Sequence, residues 1–107
     1  MGKPAVDHDD RGRRSVAGAF TAIGQSDPGE FFGQLNFSLW GTFVATVSIE
    51  RSFDGGATYL PVTNEYGVAY SWSAPMSIVV DEPESGVLYR LNCTAYTSGT
   101  INYRVSQ

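Results

Sequence analysis

Residues 43–53 read Phe43-Val44-Ala45-Thr46-Val47-Ser48-Ile49-Glu50-Arg51-Ser52-Phe53. Phe43, Ala45, Val47 and Ile49 fall on one side of an extended chain, and Thr46, Ser48 and Glu50 on the other. Period two with β-branched enrichment predicts a strand with one buried and one solvated face. Working outward, residues 31–40 alternate in the same way, with Leu35, Phe37 and Leu39 against Asn36 and Ser38. Residues 87–96 place Tyr89, Leu91, Cys93 and Ala95 opposite Arg90, Asn92 and Thr94. Residues 100–105 turn Ile101, Tyr103 and Val105 inward. Shorter segments at 15–23, 58–63, 68–73 (Val68, Tyr70 and Trp72 on one face) and 76–80 complete the set. Gly and Pro interrupt the chain about every ten residues, and no window supports an amphipathic helix of useful length. The expectation is an all-β, antiparallel β-sandwich of seven to eight strands, Ig-like or jelly-roll-like in strand order. The short connection at 96–100, with Ser98-Gly99, predicts a terminal hairpin.

The 107 residues make one domain. With 42% hydrophobic and 13% aromatic residues against 17% charged, whole-chain disorder is excluded. No apolar run approaches the length of a membrane helix, and no signal-peptide h-region follows Met1. Cys93 has no cysteine partner, which excludes an intrachain disulfide and a cysteine zinc site. It reads as a buried, unreactive thiol.

Charge is unevenly placed. Residues 1–14 carry Lys3, Arg11, Arg13 and Arg14 against three aspartates, net +1. Residues 15–107 carry three arginines against eight carboxylates, net −5. The first 14 residues have almost no apolar content, so they are expected to form an extended basic arm ahead of a sandwich at 15–107. Lys3, Arg11, Arg13 and Arg14 are the candidate partner-binding residues, docking on an acidic neighbour such as the body of another copy. The basic surface is too small for nucleic acid.

The most specific local motif is Ser52-Phe53-Asp54-Gly55-Gly56-Ala57-Thr58-Tyr59, which resembles the Asp-box hairpin of many β proteins. Asp54 is expected to accept from N–H groups of its own turn. Gly55 and Gly56 supply the turn geometry. Thr58 and Tyr59 restart the pleat, and the tyrosine ring packs back over the turn. A structural role is expected for Ser52, Asp54, Gly55, Gly56, Thr58 and Tyr59. Asp81-Glu82-Pro83-Glu84 reads as a solvated acidic turn and not as a calcium cage. Glu50 with Asp54, or Asp27 with Glu30, offers an unconvincing glycosidase pair, because alternation puts Glu50 on a solvated face. Tyr70 and Trp72 are expected in the core and Trp40 partly exposed. His8 is the single histidine and lies in the polar arm. No catalytic residues, cofactor, metal or small-molecule substrate are expected.

Taken in order, Trp40-Gly41, Ser52 to Gly56, Tyr89-Arg90 and Thr97-Ser98-Gly99 resemble a pattern in small β-sandwich virion proteins of tailed bacteriophages and prophages. Its first part is a strand pair either side of Trp40-Gly41, and the likeness covers about half the chain. The resemblance implies a structural protein of the virion. The leading expectation is a capsid decoration protein, a dimer or trimer bound through its arm to the major capsid protein. The alternatives are a tail, head–tail connector or fibre-associated component, or a carbohydrate-binding module presenting an exposed aromatic row. No nucleic acid and no membrane are expected as partners.

Overall fold

The structure, a computed structural model, describes residues 7–8 and 14–107. Nine strands follow in order: β1 (Asp7–His8), β2 (Arg14–Phe20), β3 (Gly24–Gln25), β4 (Gly29–Trp40), β5 (Phe43–Ser52), β6 (Leu60–Pro61), β7 (Ser71–Trp72), β8 (Met76–Gly99) and β9 (Ile101–Ser106). No helix occurs among the described residues. All pairings are antiparallel, in the order β1-β2-β9-β4-β8-β5-β6, with β3 on β8 and β7 on β5. The protein is an all-β antiparallel sandwich. Four of the nine strands are two residues long.

The 24-residue β8 organises both layers. Its first part pairs with β4, from Leu39↔Met76 to Gly33↔Glu82. Its second part pairs with β5, from Ser52↔Leu88 to Phe43↔Gly99. Between Phe31 and Gly33 the register shifts, because β8 carries the extra residues 83–86 opposite that point. Such a bulge bends a strand and raises its twist. Here it carries β8 from the first layer (β2, β9, β4 and the start of β8) into the second (the end of β8 with β3, β5, β6 and β7). Residues 76–80 and 87–96, expected as separate strands, are therefore one.

The core lies between the layers. Val16, Phe20, Leu35, Phe37, Leu39, Ile101, Tyr103 and Val105 come from the first, and Ala45, Val47, Ile49, Leu91 and Cys93 from the second. Phe37 meets Tyr89 across the join, with ring centroids 5.8 Å apart. Each wholly buried Leu or Phe contributes about 2 kcal/mol by leaving water.

The expected terminal hairpin is not formed, since β9 pairs with β2 and β4 and not with β8. Nor is the strand pair either side of Trp40-Gly41, since β4 and β5 are not hydrogen-bonded to each other. Both connections are arches that pass from one layer to the other, and they lock together. The Thr100 N–H donates to the Thr42 carbonyl at 3.1 Å. A Cβ on Gly41 (φ +117°) would sit 2.5 Å from the Thr100 carbonyl oxygen, and one on Gly99 (φ +92°) 2.1 Å from the Thr42 oxygen. Only glycine permits that mutual approach. The predicted strand at 68–73 contracts to Ser71–Trp72, and Val68 is exposed. Pro75 lies three residues beyond the end of β7, and a proline cannot donate to a sheet ladder.

Candidate functional site

Three surfaces carry chemistry: the crossover of β8 and the two outer faces of the sandwich.

At the crossover, Glu82 is buried and not the solvated turn residue expected from its Asp-Glu-Pro-Glu context. Its carboxylate accepts from the Arg51 guanidinium at 2.9 Å, the Tyr89 hydroxyl at 2.6 Å and the Glu84 N–H at 3.0 Å. The bulge that begins at Pro83 turns Glu82 toward Arg51 and Tyr89, which are cross-strand neighbours. Burial pushes the Tyr89 phenol far above its usual range, and the Glu82 carboxylate adds to the shift. Burial works to lower the Arg51 pKa, but its bonds to Tyr89 and Glu82 prevail and raise it. Strand parity was the available signal. Glu82 continues Ile78 and Val80, and Arg51 continues Val47 and Ile49, so both point inward.

The outer face of the second layer carries a polar network, with Val44 exposed at the start of β5. The Arg90 guanidinium donates to Glu50 at 2.8 Å, Asn92 donates to the other Glu50 oxygen at 3.1 Å, and Gln25 donates to Asn92 at 3.2 Å. Arg90 also lies 3.7 Å above the Tyr59 ring. The Asp-box hairpin borders this network. The Ser52 hydroxyl, wholly buried, donates to Asp54 at 2.7 Å and accepts from the Gly56 N–H at 2.9 Å, and the Thr58 N–H donates to Asp54 at 2.9 Å. The Ser52 and Thr58 bonds hold the Asp54 carboxyl below the usual carboxylate range. The Tyr59 hydroxyl lies beside Gly56. Glu50 and Asp54 are thus both engaged in structure and do not face each other as an acid–base pair.

The outer face of the first layer is different. Its cross-strand rows are Ala19, Asn102 and Trp40; then Ala17, Arg104, Ser38 and Ser77; then Ser15, Ser106, Asn36 and Val79; then Gln34 and Asp81. Trp40 is 48% exposed and Val79 60%. On β9, β4 and β8 the charged residues of these rows are Arg104 and Asp81, and β1 continues the third row with Asp7 opposite Ser15. Among the described residues neither Arg104 nor Asp81 makes an ion pair. Among the described residues, the side-chain bonds within these rows join the Ser38 and Ser77 hydroxyls at 3.0 Å and run from the Asn102 amide to the Trp40 carbonyl at 3.4 Å.

Of the expected arm residues, Lys3, Arg11 and Arg13 lie outside the described residues. Arg14 is the first residue of β2, so the strand begins one residue before the expected domain boundary. Its guanidinium donates to the Glu30 carbonyl at 2.7 Å and lies 3.9 Å from the Glu30 carboxylate, within the same domain. It therefore caps the open side of β4, beside Gln107, which donates to the Phe32 carbonyl at 2.6 Å. Cys93 is buried, and burial pushes its thiol up, as expected for an inert side chain. The aromatic residues do not form one exposed row. Tyr70 and Trp72 stack on each other at 5.6 Å, half-buried against the core, Tyr59 lies under Arg90, Trp40 ends β4 and Tyr66 sits in a loop. No group of three or more potential metal ligands occurs among the described residues.

No protein-family model and no curated protein matches the chain. Two solved structures do. One is the Drosophila melanogaster CENP-C cupin domain, 10% identical, covering 94% of this chain and 71% of that one with a TM-score of 0.46. The other is Drosophila melanogaster CENP-C bound to CAL1, 10% identical, covering 92% of this chain and 76% of that one with a TM-score of 0.45. The likeness is one of fold. The matches are CENP-C domains and not phage proteins. That finding overturns the expected function as a phage capsid decoration protein, and the tail and connector alternatives go with it. The major capsid protein as partner has no support.

Proposed function

We propose that this chain is a non-catalytic β-sandwich module that works by associating with a second polypeptide chain, and specifically with copies of itself, through the outer face of its first layer. The observation that carries this reading is the contrast in polar pairing between the two outer faces. On the second layer Glu50, Arg90, Asn92 and Gln25 satisfy one another. On the first, small side chains surround Val79 and Trp40, and two opposite charges stand apart. Alanine and serine let two sheets approach closely, and exposed apolar side chains gain by covering one another. Glu50, Asp54 and Glu82 are held in ion pairs or in a turn, which supports a non-catalytic role.

The face spans four strands and seven residues, about 19 Å by 20 Å. That flat area is about half of the ~800 Å² per partner that a standard interface buries, before side-chain relief is counted. Weak, concentration-dependent association is therefore expected. Sedimentation equilibrium over a concentration series tests it. A molar mass rising with concentration is the expected result, and a constant monomer mass up to millimolar protein overturns the reading.

A further inference from the structure

On the first layer's outer face Arg104 and Asp81 stand in a symmetric arrangement. Arg104 lies on β9 opposite Ser38, and Asp81 lies on β8 opposite Gln34. Asn36 lies on β4 midway between those two partners and pairs with Ser106 on one side and Val79 on the other. From Asn36, Arg104 is one strand away in one direction and two residues up, and Asp81 is one strand away in the other direction and two residues down. The charges are therefore related by a half-turn about Asn36. They are about 10 Å apart across the strands and about 13 Å along them, too far to pair within one molecule.

We infer that the occupant of this face is a second copy of the chain, in a two-fold dimer whose axis passes beside Asn36. The inference rests on the self-associating reading above and adds its partner geometry. A two-fold contact matches a patch with itself, so a residue that touches another is touched by it in return. An axis lying in the face and perpendicular to the line from Arg104 to Asp81 exchanges the two positions. Each guanidinium then meets the carboxylate of the other copy, and two reciprocal ion pairs form. Asn36 faces its own counterpart, and an amide offers both donor and acceptor to an identical amide. With this axis the strands of the two copies cross at a steep angle, in the near-orthogonal class of sheet packing. The ion pairs sit toward the rim, so they fix register and orientation more than they add affinity.

Charge reversal tests this arrangement. Sedimentation velocity is run on the wild-type chain, R104E, D81R and the double variant R104E/D81R. All the altered side chains are exposed, and thermal melts check that each variant folds. In the dimer, each single reversal sets like charges together twice. Self-association should weaken by about tenfold or more in R104E and in D81R, and should return toward the wild-type value in the double variant. Single variants that associate like the wild type, or a double variant no better than the singles, overturn the proposed register. If the wild type associates but is indifferent to these changes, the self-associating reading stands and this geometry fails. If the wild type stays monomeric at every concentration, both fail.

Discussion

The two outer faces of the sandwich share a strand, β8, and differ in how they treat their polar groups. On the second layer, β8 offers Arg90 and Asn92 to Glu50 on β5, with Gln25 and the Tyr59 ring closing the rim. On the first layer, the same strand offers Ser77, Val79 and Asp81 to neighbours that are mostly small or uncharged. Placing opposite charges directly across from each other finishes a surface, because each group finds its partner within the molecule. Placing them a half-turn apart about Asn36 leaves the pairing to be completed by another copy. The bulge at 83–86 makes the difference possible, because it lets one strand serve two layers with different neighbours.

Breaking the join between the faces should have the largest effect. Glu82→Ala leaves Arg51 without its buried carboxylate and removes the acceptor of the Tyr89 hydroxyl. Arg51 keeps a third of its side chain in water, which softens the loss, and a destabilisation of about 3 kcal/mol is expected from urea denaturation. Next comes the finished face. Arg90→Ala or Glu50→Ala should cost about 1 kcal/mol, with no change in molar mass at any concentration. On the open face the pattern should reverse. Val79→Asp should leave stability within about 0.5 kcal/mol while abolishing concentration-dependent association, read by light scattering.

The smallest effect sharpens the comparison at the border of the finished face. The folded Asp54 carboxyl titrates below its ordinary range. Its contribution to stability is therefore complete above the unfolded value and is lost as the pH falls through the folded one. Asp54→Asn should lower the melting temperature slightly at neutral pH and flatten the acid side of the stability profile. A profile unchanged by the substitution would remove the turn from the account.

Much of the fold was legible because period two is written locally. Leu35, Phe37, Leu39, Val47, Ile49, Leu91 and Ile101 all fall inside as their alternation predicts. The connections were not legible. An arch and a hairpin use the same short Gly-containing segment, and only the contact between Thr42 and Thr100, far apart in sequence, decides between them. The burial of Glu82 is masked in the sequence because an acidic run beside proline resembles a solvated turn, although its parity with Val80 points inward. The Arg104–Asn36–Asp81 geometry was out of reach, since it joins three strands distant along the chain. Arg14, basic and at the edge of the polar stretch, reads as an arm residue, whereas its guanidinium bonds the Glu30 carbonyl within its own domain.

The most direct test of the central claim compares the two faces in one experiment. Cys93 is the single cysteine of the chain, so in a Cys93→Ala background a new cysteine is the only thiol. Asn36→Cys places it at the proposed axis, and Thr94→Cys places it on the finished face. A short bismaleimide should join two copies of the Asn36→Cys protein in high yield and leave the Thr94→Cys protein monomeric. Equal yields from both, or cross-linking at position 94 alone, would contradict the account.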